Sequence, residues 1–272
     1  MTNRRRFLAV PYIVWMAVFV IAPIVLIAVY AFASRDGAFT LSNFSAMGTY
    51  LSVFSRSFLL AIISTVVCLI LGYPLAVIFA HETSRMQKIM IMLIMLPMWM
   101  NFLLRTYAWM SILESNGLLN RALAFLHIPP LNIINTPAAV IIGMVYNFLP
   151  FMVLPIYSVV VKIDRSLVEA AQDLGGSPAA VFRRVTFPLS LPGVLSGITM
   201  VFVPAVSTFV ISQLLGGGKE MLLGDLIEMQ FLGTAYNPQL GSAISLVMMI
   251  VVMIFMYFMN KFGEGEDKAV LM

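Results

Sequence analysis

Charged residues are scarce in this chain of 272 residues. Asp, Glu, Lys and Arg together make up 10% of it, whereas hydrophobic residues make up 61%. Soluble domains carry roughly 25% charged residues, so a water-soluble fold could not bury this much apolar surface. The composition therefore predicts a single helical domain embedded in a membrane.

Residues that build catalytic or metal sites are also few. The chain has one cysteine, Cys68, and two histidines, His81 and His127. A lone cysteine excludes an internal disulfide and a cysteine-based metal site, and the Gly-x-x-x-x-Gly-Lys pattern of a phosphate loop is missing. We predict no catalytic residue, no metal and no cofactor. The net charge of +4 is spread along the flanks of apolar segments, which argues against a nucleic-acid partner.

Six apolar segments are long enough to cross a bilayer, which takes about 20 helical residues. They predict an all-α membrane protein with six transmembrane helices at about residues 7–31, 57–80, 89–113, 136–161, 189–214 and 240–260. The uncharged stretch 7–34 is too long for the apolar region of a signal peptide, so we expect it to be retained as the first span.

The distribution of Lys and Arg predicts the orientation in the membrane. With six spans, one side carries eleven of these residues and the other side five. Because cytoplasmic flanks attract positive charge, both termini and the link at 162–188 are expected inside the cell. The eleven are Arg4, Arg5, Arg6, Arg85, Lys88, Lys162, Arg165, Arg183, Arg184, Lys261 and Lys268.

The link at 162–188, called here the 162–188 loop, carries more charge than the other links. Ser166 and Glu169 have the spacing of a capping box, in which Ser166 caps a helix at about 167–174. Gly175 and Gly176 then supply a stop. The loop is therefore predicted to be folded.

A second helix of the 162–188 loop is predicted from its next residues. Ser177 is a suitable cap and Pro178 favours the first helical position. This helix is expected to run toward Arg184, and Pro188 is expected to open the fifth span.

Part of the 162–188 loop follows a recognisable pattern. It consists of Glu169, Ala170 and Ala171, then Gly175, then Val185, Thr186, Phe187 and Pro188. This pattern resembles the EAA loop of ABC importer permeases, with Val185 and Phe187 replacing Ile and Leu. Membership would imply the six-span type I importer fold and an ATPase-coupling role for Glu169, Ala170, Ala171, Gly175 and Pro188. The alternative is an ordinary surface hairpin.

A finer resemblance extends over nearly the whole chain. The segments 96–109, 137–155, 230–232 and 241–243 resemble the B-type permeases of spermidine/putrescine importers. The resemblance implies polyamine import across the bacterial cytoplasmic (inner) membrane. It also implies a homologous second permease, two copies of a cytoplasmic ABC ATPase and an extracytoplasmic polyamine-binding protein. Permeases for opines, phosphate or iron have related patterns and remain alternatives.

The resemblance also suggests a division of the chain. Residues 1–56 would form the N-terminal transmembrane helix and an outer loop, 57–260 the permease domain, and 261–272 a cytoplasmic tail. The chain itself would hydrolyse nothing, because ATP hydrolysis belongs to the partner ATPase in such importers.

The third predicted span concentrates polar and aromatic residues that could line a substrate pathway. These candidates, with Tyr146 from the fourth span, are Trp99, Asn101, Arg105, Tyr107, Trp109 and Tyr146. On one continuous helix, Asn101, Arg105 and Trp109 would share a stripe. Aromatic faces attract cations, and polar residues within a membrane usually face protein or water. The alternative for the aromatic residues is an interfacial belt.

Arg105 conflicts with a cationic cargo unless its charge is paired. Glu114, Asp225 and Glu228 are the candidate partners near the outer mouth. Asp225 and Glu228 are otherwise interpreted as residues of a solvated outer loop.

Two other functional classes are disfavoured. A stand-alone secondary transporter would need carboxylates in the middle of its spans and usually an internal repeat, and the predicted spans lack both. A membrane-embedded enzyme would require clusters of His or Asp within the membrane, which are also missing.

Overall fold

Helices account for almost all regular structure in the computed structural model, which describes residues 10–233 and 235–267, with side chains up to residue 262. The helices are α1 (Val10–Ala31), α2 (Ser42–His81), α3 (Ser84–Trp99), α4 (Phe102–Leu113), α5 (Leu118–Phe125), α6 (Pro137–Val160), α7 (Arg165–Asp173), α8 (Pro178–Ser207), α9 (Val210–Leu215), α10 (Leu223–Phe231) and α11 (Pro238–Asp267).

Five helices of the described residues are long and apolar enough to cross a membrane: α1, α2, α6, α8 and α11. A sixth crossing results if α3 and the segment Phe102–Phe125 are taken together as one bent span. The all-α, six-span class is therefore confirmed. Residues 7–9 of the first predicted span lie outside the described residues.

The third span is not the continuous helix that was predicted. Its two arms meet at a bend of 92° between Trp99 and Phe102. Pro97 has no N–H to continue the helical ladder, and Leu96–Trp99 tightens into a 3₁₀ turn. Met100 is then extended, and the Asn101 side chain caps α4. A run of apolar residues could not reveal this break, because both arms are hydrophobic.

The fifth span also differs from its prediction at both ends. Helix α8 begins at Pro178, well before the predicted start at residue 189, and it ends at Ser207 rather than at residue 214. The separate short helix α9 follows, after the extended residue Thr208. Pro178–Ser207 thus joins the second half of the 162–188 loop directly to the span.

The chain divides into two compact units. One contains the described part of Met1–Ser52 together with Leu226–Met253, and it includes all of α1. The helix α1 exposes most of its apolar side chains. The other unit contains Val53–Asp225 and the described residues from Ile254 onward, and it includes the 162–188 loop and both arms of the third span.

The centre of the larger unit is the contact between α6 and α8, with α2 packed beside them. Met152 of α6 is fully buried there. Glycines on both neighbours permit the close approach: a Cβ on Gly72 would lie 3.0 Å from the Met152 Cγ, and one on Gly197 would lie 2.8 Å from its Sδ. Such small residues let membrane helices approach closely.

Gly193→Ala should lower the thermal stability of the protein in detergent. The new Cβ would stand 2.9 Å from the Pro155 carbonyl oxygen and 3.0 Å from the Ile156 Cα, both backbone atoms. We expect a cost of about 1–3 kcal/mol from overpacking, which outweighs the gain of up to about 1 kcal/mol that alanine brings to a helix. Gly48→Ala is the control, because nothing lies within 4 Å of its Cβ position. An unchanged melting temperature for Gly193→Ala would contradict the close packing of α6 against α8.

Candidate functional site

The first helix of the 162–188 loop begins at a cap that sequence reasoning missed. The Asp164 carboxylate accepts a hydrogen bond from the Ser166 backbone N–H at 2.9 Å. This hydrogen bond holds the pKa of the Asp164 carboxyl below its ordinary value. The predicted capping box is therefore wrong: Ser166 lies inside α7, and Asp164, two residues earlier, is the capping residue. The cap could have been predicted from the sequence, because Asp is a favoured capping residue and Asp164 stands two residues before Ser166.

The turn after α7 is a Schellman motif that depends on glycine. The Gly176 N–H donates to the Ala171 carbonyl at 3.0 Å, and the Gly175 N–H donates to the Gln172 carbonyl at 2.8 Å. Gly175 has φ +82°, the left-handed conformation that side chains disfavour. The predicted stop at the two glycines is confirmed, and so is their place between two helices.

The second helix of the 162–188 loop starts as predicted but does not end before Pro188. The Ala180 N–H donates to the Ser177 hydroxyl at 3.3 Å, which confirms the cap. Beyond Val181 the helix widens into a π turn at Phe182–Thr186 and continues as the fifth span. A proline ring clashes with the carbonyl four residues earlier in a regular helix, and the wider turn just before Pro188 relieves that clash.

The tip of the 162–188 loop, here residues 169–174, combines charged, small and apolar side chains on its surface. Glu169 and Ala170 are exposed, while Ala171 is half-buried. Beside them Leu174 has 90% of its surface exposed, although an isolated leucine gains free energy by leaving water. Sequence reasoning did not single out Leu174, since its type alone is unremarkable in a hydrophobic chain.

The break in the third span is held by two of the predicted pathway residues. The Asn101 side-chain oxygen accepts from the backbone N–H groups of Leu103 at 2.9 Å and Leu104 at 3.4 Å. The Arg105 guanidinium donates to the Pro97 carbonyl at 2.8 Å, across the bend. These bonds satisfy backbone groups that the break removes from the helical ladder.

Arg105 is 8% exposed, and aromatic rings surround its charge. Its guanidinium carbon lies 5.8 Å from the centre of the Phe102 ring and 5.9 Å from that of Tyr146. The two rings and the Pro97 carbonyl stabilise the buried cation. The pairing of Arg105 with Glu114, Asp225 or Glu228 stays a prediction.

Five of the six pathway candidates form two groups. Arg105, Trp109 and Tyr146 lie together, and the rings of Trp109 and Tyr146 meet edge to face at 5.2 Å. Trp99 and Tyr107 lie on opposite arms of the bend with 72% and 47% of their surfaces exposed. Of the predicted stripe, Arg105 and Trp109 both lie in α4, whereas Asn101 is the residue that caps it. The continuous helix assumed for the stripe is therefore wrong, and the pathway role of its residues stays a prediction.

Asp225 does not belong to a solvated loop, as had been expected. It lies in the first turn of α10 and is buried, and its carboxylate accepts from the Leu222 N–H at 2.8 Å. Glu228 lies in the same helix and is half-buried. The helix is short and follows a glycine-rich segment, which concealed it from the sequence pattern.

Residues 45–263 match the family described as "binding-protein-dependent transport system inner membrane component". The chain is 39% identical over 248 residues to the spermidine/putrescine transport system permease protein PotB of Escherichia coli, and this match covers 88% of the chain and 90% of that protein. Identity to PotB of Haemophilus influenzae is 37% over 256 residues, which covers 90% and 89% of the two chains.

Among solved structures, the chain is similar to a bacterial ABC transporter involved in the import of the acidic polysaccharide alginate. The TM-score is 0.80 at 16% sequence identity, and the match covers 95% of this chain and 94% of that one. At this identity the likeness establishes the fold, and it supports the predicted type I importer architecture.

Arg105→Met should loosen the break in the third span while leaving the apolar bulk of the side chain. A hydrogen bond from a charged group contributes about 1.5–3 kcal/mol, so backbone amides at 96–104 should exchange with deuterium roughly 10- to 100-fold faster. Arg121→Met is the control, because its Nε donates to the Asn116 carbonyl within the same arm as Arg105 and does not cross the bend. Equal protection of 96–104 in both variants and the parent would contradict the bracing role of Arg105.

Proposed function

The chain belongs to the family of binding-protein-dependent transport system inner membrane components, and we propose that it is the permease subunit of an ABC importer that carries polyamines across the cytoplasmic membrane. It acts as a transport subunit and hydrolyses nothing itself. The ATP is consumed by a separate partner ATPase.

The observation that carries this proposal is the geometry of the 162–188 loop. A capped helix, a glycine turn and a second helix present Glu169, Ala170 and the protruding Leu174 on one exposed tip. Small residues allow a helix to enter a groove closely, and an exposed leucine suits an apolar contact. We propose that this tip docks in a cleft of the ATPase. The shape of the loop that carries the tip depends on Ala171, Gly175 and Pro188.

The remaining partners follow from the architecture. A homologous second permease completes the translocation pathway, two copies of the ATPase dock on the cytoplasmic side, and an extracytoplasmic binding protein delivers the substrate. The bias of Lys and Arg supports a location of both termini and the 162–188 loop inside the cell. ATP binding closes the ATPase dimer and moves the loop, which converts an inward-facing pair of permeases to an outward-facing one.

Spermidine and putrescine are the favoured substrates because the relatives at 37–39% identity carry those names. The exposed rings of Trp99 and Tyr107 suit the ammonium groups of such a cargo.

The two arms that carry these rings are positioned by Asn101 and Arg105. Two aromatic rings and the Pro97 carbonyl stabilise the Arg105 charge without neutralising it, so a cationic cargo still requires the acidic partner predicted for Arg105. Trp109 packs against Tyr146 beside it.

The coupling role predicts that Glu169→Lys and Gly175→Val reduce ATP-driven uptake of labelled spermidine and putrescine. Lysine reverses the charge at the tip. A side chain in the left-handed conformation costs about 1–2 kcal/mol. Valine should therefore reduce the population of molecules with a correctly folded loop, relative to those without, roughly five- to thirtyfold. Uptake is measured in vesicles that contain the two permeases and the ATPase, together with the added binding protein.

Gly218→Val is the matched control for Gly175→Val. Both glycines have positive φ, +72° and +82°, and neither has an atom within 4 Å of its Cβ position. The two substitutions therefore impose the same local strain, but only one lies in the 162–188 loop. Normal uptake and normal ATPase association for both loop variants would refute the coupling role, and absence of polyamine uptake in the parent would refute the substrate.

The pathway role predicts that Trp99→Leu and Tyr107→Leu each slow polyamine uptake about two- to thirtyfold, which corresponds to about 0.5–2 kcal/mol per cation–π contact. Leucine keeps apolar bulk and removes only the aromatic face. Uptake is compared at equal permease abundance and equal ATPase association.

Trp15→Leu serves as the control for the loss of an exposed tryptophan, because Trp15 lies on α1 and is about half exposed. Its uptake should equal that of the parent. Normal uptake by both pathway variants would contradict the pathway role and favour the alternative, in which Trp99 and Tyr107 belong to an interfacial aromatic belt.

A further inference from the structure

One buried hydrogen bond joins the second span to the helix that leaves the 162–188 loop. The Tyr73 hydroxyl of α2 and the Ser190 hydroxyl of α8 lie 2.8 Å apart. The Ser190 hydroxyl also donates to the Phe187 carbonyl at 2.8 Å, so the Tyr73 hydroxyl is the donor in the bond between the two side chains. Ser190 is fully buried and Tyr73 nearly so.

Aromatic rings surround this hydrogen bond and extend it to the π turn. The Tyr73 ring meets Phe182 at right angles with 5.7 Å between ring centres, and it meets Phe187 at 5.8 Å. Phe182 and Phe187 lie 6.2 Å apart, at the first residue of the π turn and just after its last. One tyrosine of α2 therefore contacts both ends of the turn that connects the loop to the fifth span.

The position of this contact matters because the π turn interrupts the regular α-helix between the loop and the fifth span. A π turn replaces the regular hydrogen-bond ladder of the α-helix locally, and such turns are often found at functional sites. A helix with only this connection could bend there when its loop end is moved. The Tyr73 contact ties the far side of the turn, at Ser190, to a second helix.

We propose that Tyr73 and Ser190 are positioning residues that transmit movement of the 162–188 loop to the second span as well as the fifth. When the ATPase moves the loop, α8 carries α2 with it through the hydroxyl pair and the ring contacts. Without this bond the loop still moves and ATP is still consumed, but α2 lags and less substrate is transported per ATP. The proposal rests on the coupling role assigned above.

The test measures substrate transported per ATP hydrolysed, in vesicles that contain the complete importer. Tyr73→Phe removes the hydroxyl and keeps the ring, and Ser190→Ala removes its partner. Each should lower this ratio about two- to tenfold, as expected for a net hydrogen bond, while ATP hydrolysis, membrane abundance and ATPase association are retained. The double variant should equal the single ones, because both remove the same bond.

Tyr157→Phe and Ser196→Ala are the matched controls. Tyr157 donates to the Gln87 side chain at 3.2 Å and thus joins α6 to α3 instead. Ser196 lies on α8 but bonds only within its helix, to the Pro192 carbonyl at 2.9 Å. Both variants should keep the parent ratio.

The other outcomes overturn the proposal or the function separately. An unchanged ratio in Tyr73→Phe and Ser190→Ala, or an equal fall in Tyr157→Phe, would overturn the transmission role. A parallel loss of ATP hydrolysis and uptake would do the same, since it would indicate a fault in docking. Failure of the parent importer to take up polyamines would instead overturn the proposed function.

Discussion

Hydrocarbon offers no hydrogen-bond partner to a backbone amide, and this constraint governs the membrane-spanning part of the molecule. An interrupted helix in a bilayer is tolerated only where other groups replace the lost bonds. At the break in the third span those groups are the Asn101 side chain and the Arg105 guanidinium. The polar residues in this segment therefore have a structural task that precedes any contact with a substrate. One donor of Arg105 and the side-chain oxygen of Asn101 are engaged in this way.

The same constraint distinguishes the 162–188 loop from the break in the third span. The 162–188 loop lies at the end of its spans, where water can form hydrogen bonds with the backbone. A glycine with positive φ and an exposed helix cap are therefore tolerated there. The coupling role proposed for the loop requires its movement to reach the bilayer interior. The continuous helix α8 connects the two, and at Gly193 and Gly197 it packs closely against α6.

The features predicted correctly from the sequence are those that depend on local chemistry repeated over many residues. Apolar length identified the spans, and the glycine pair and the Ser177 cap identified the turn between the loop helices. The failures have physical causes. Ser166 and Asp164 compete for one cap, and the choice depends on backbone angles that residue types do not determine. The bend before Phe102 depends on Pro97 and on the bonds of Asn101 and Arg105, which a hydropathy profile does not register. The burial of Asp225 arises from tertiary packing, which helical periodicity does not contain.

The length of α8 converts a small tilt into a larger displacement. Its 30 residues extend about 45 Å at 1.5 Å per residue. A tilt of about 5° about its loop end at Pro178 would displace Ser190 by about 1.6 Å and Ser207 by about 4 Å. The displacement caused by a small change of angle at the 162–188 loop would thus grow with distance along the helix.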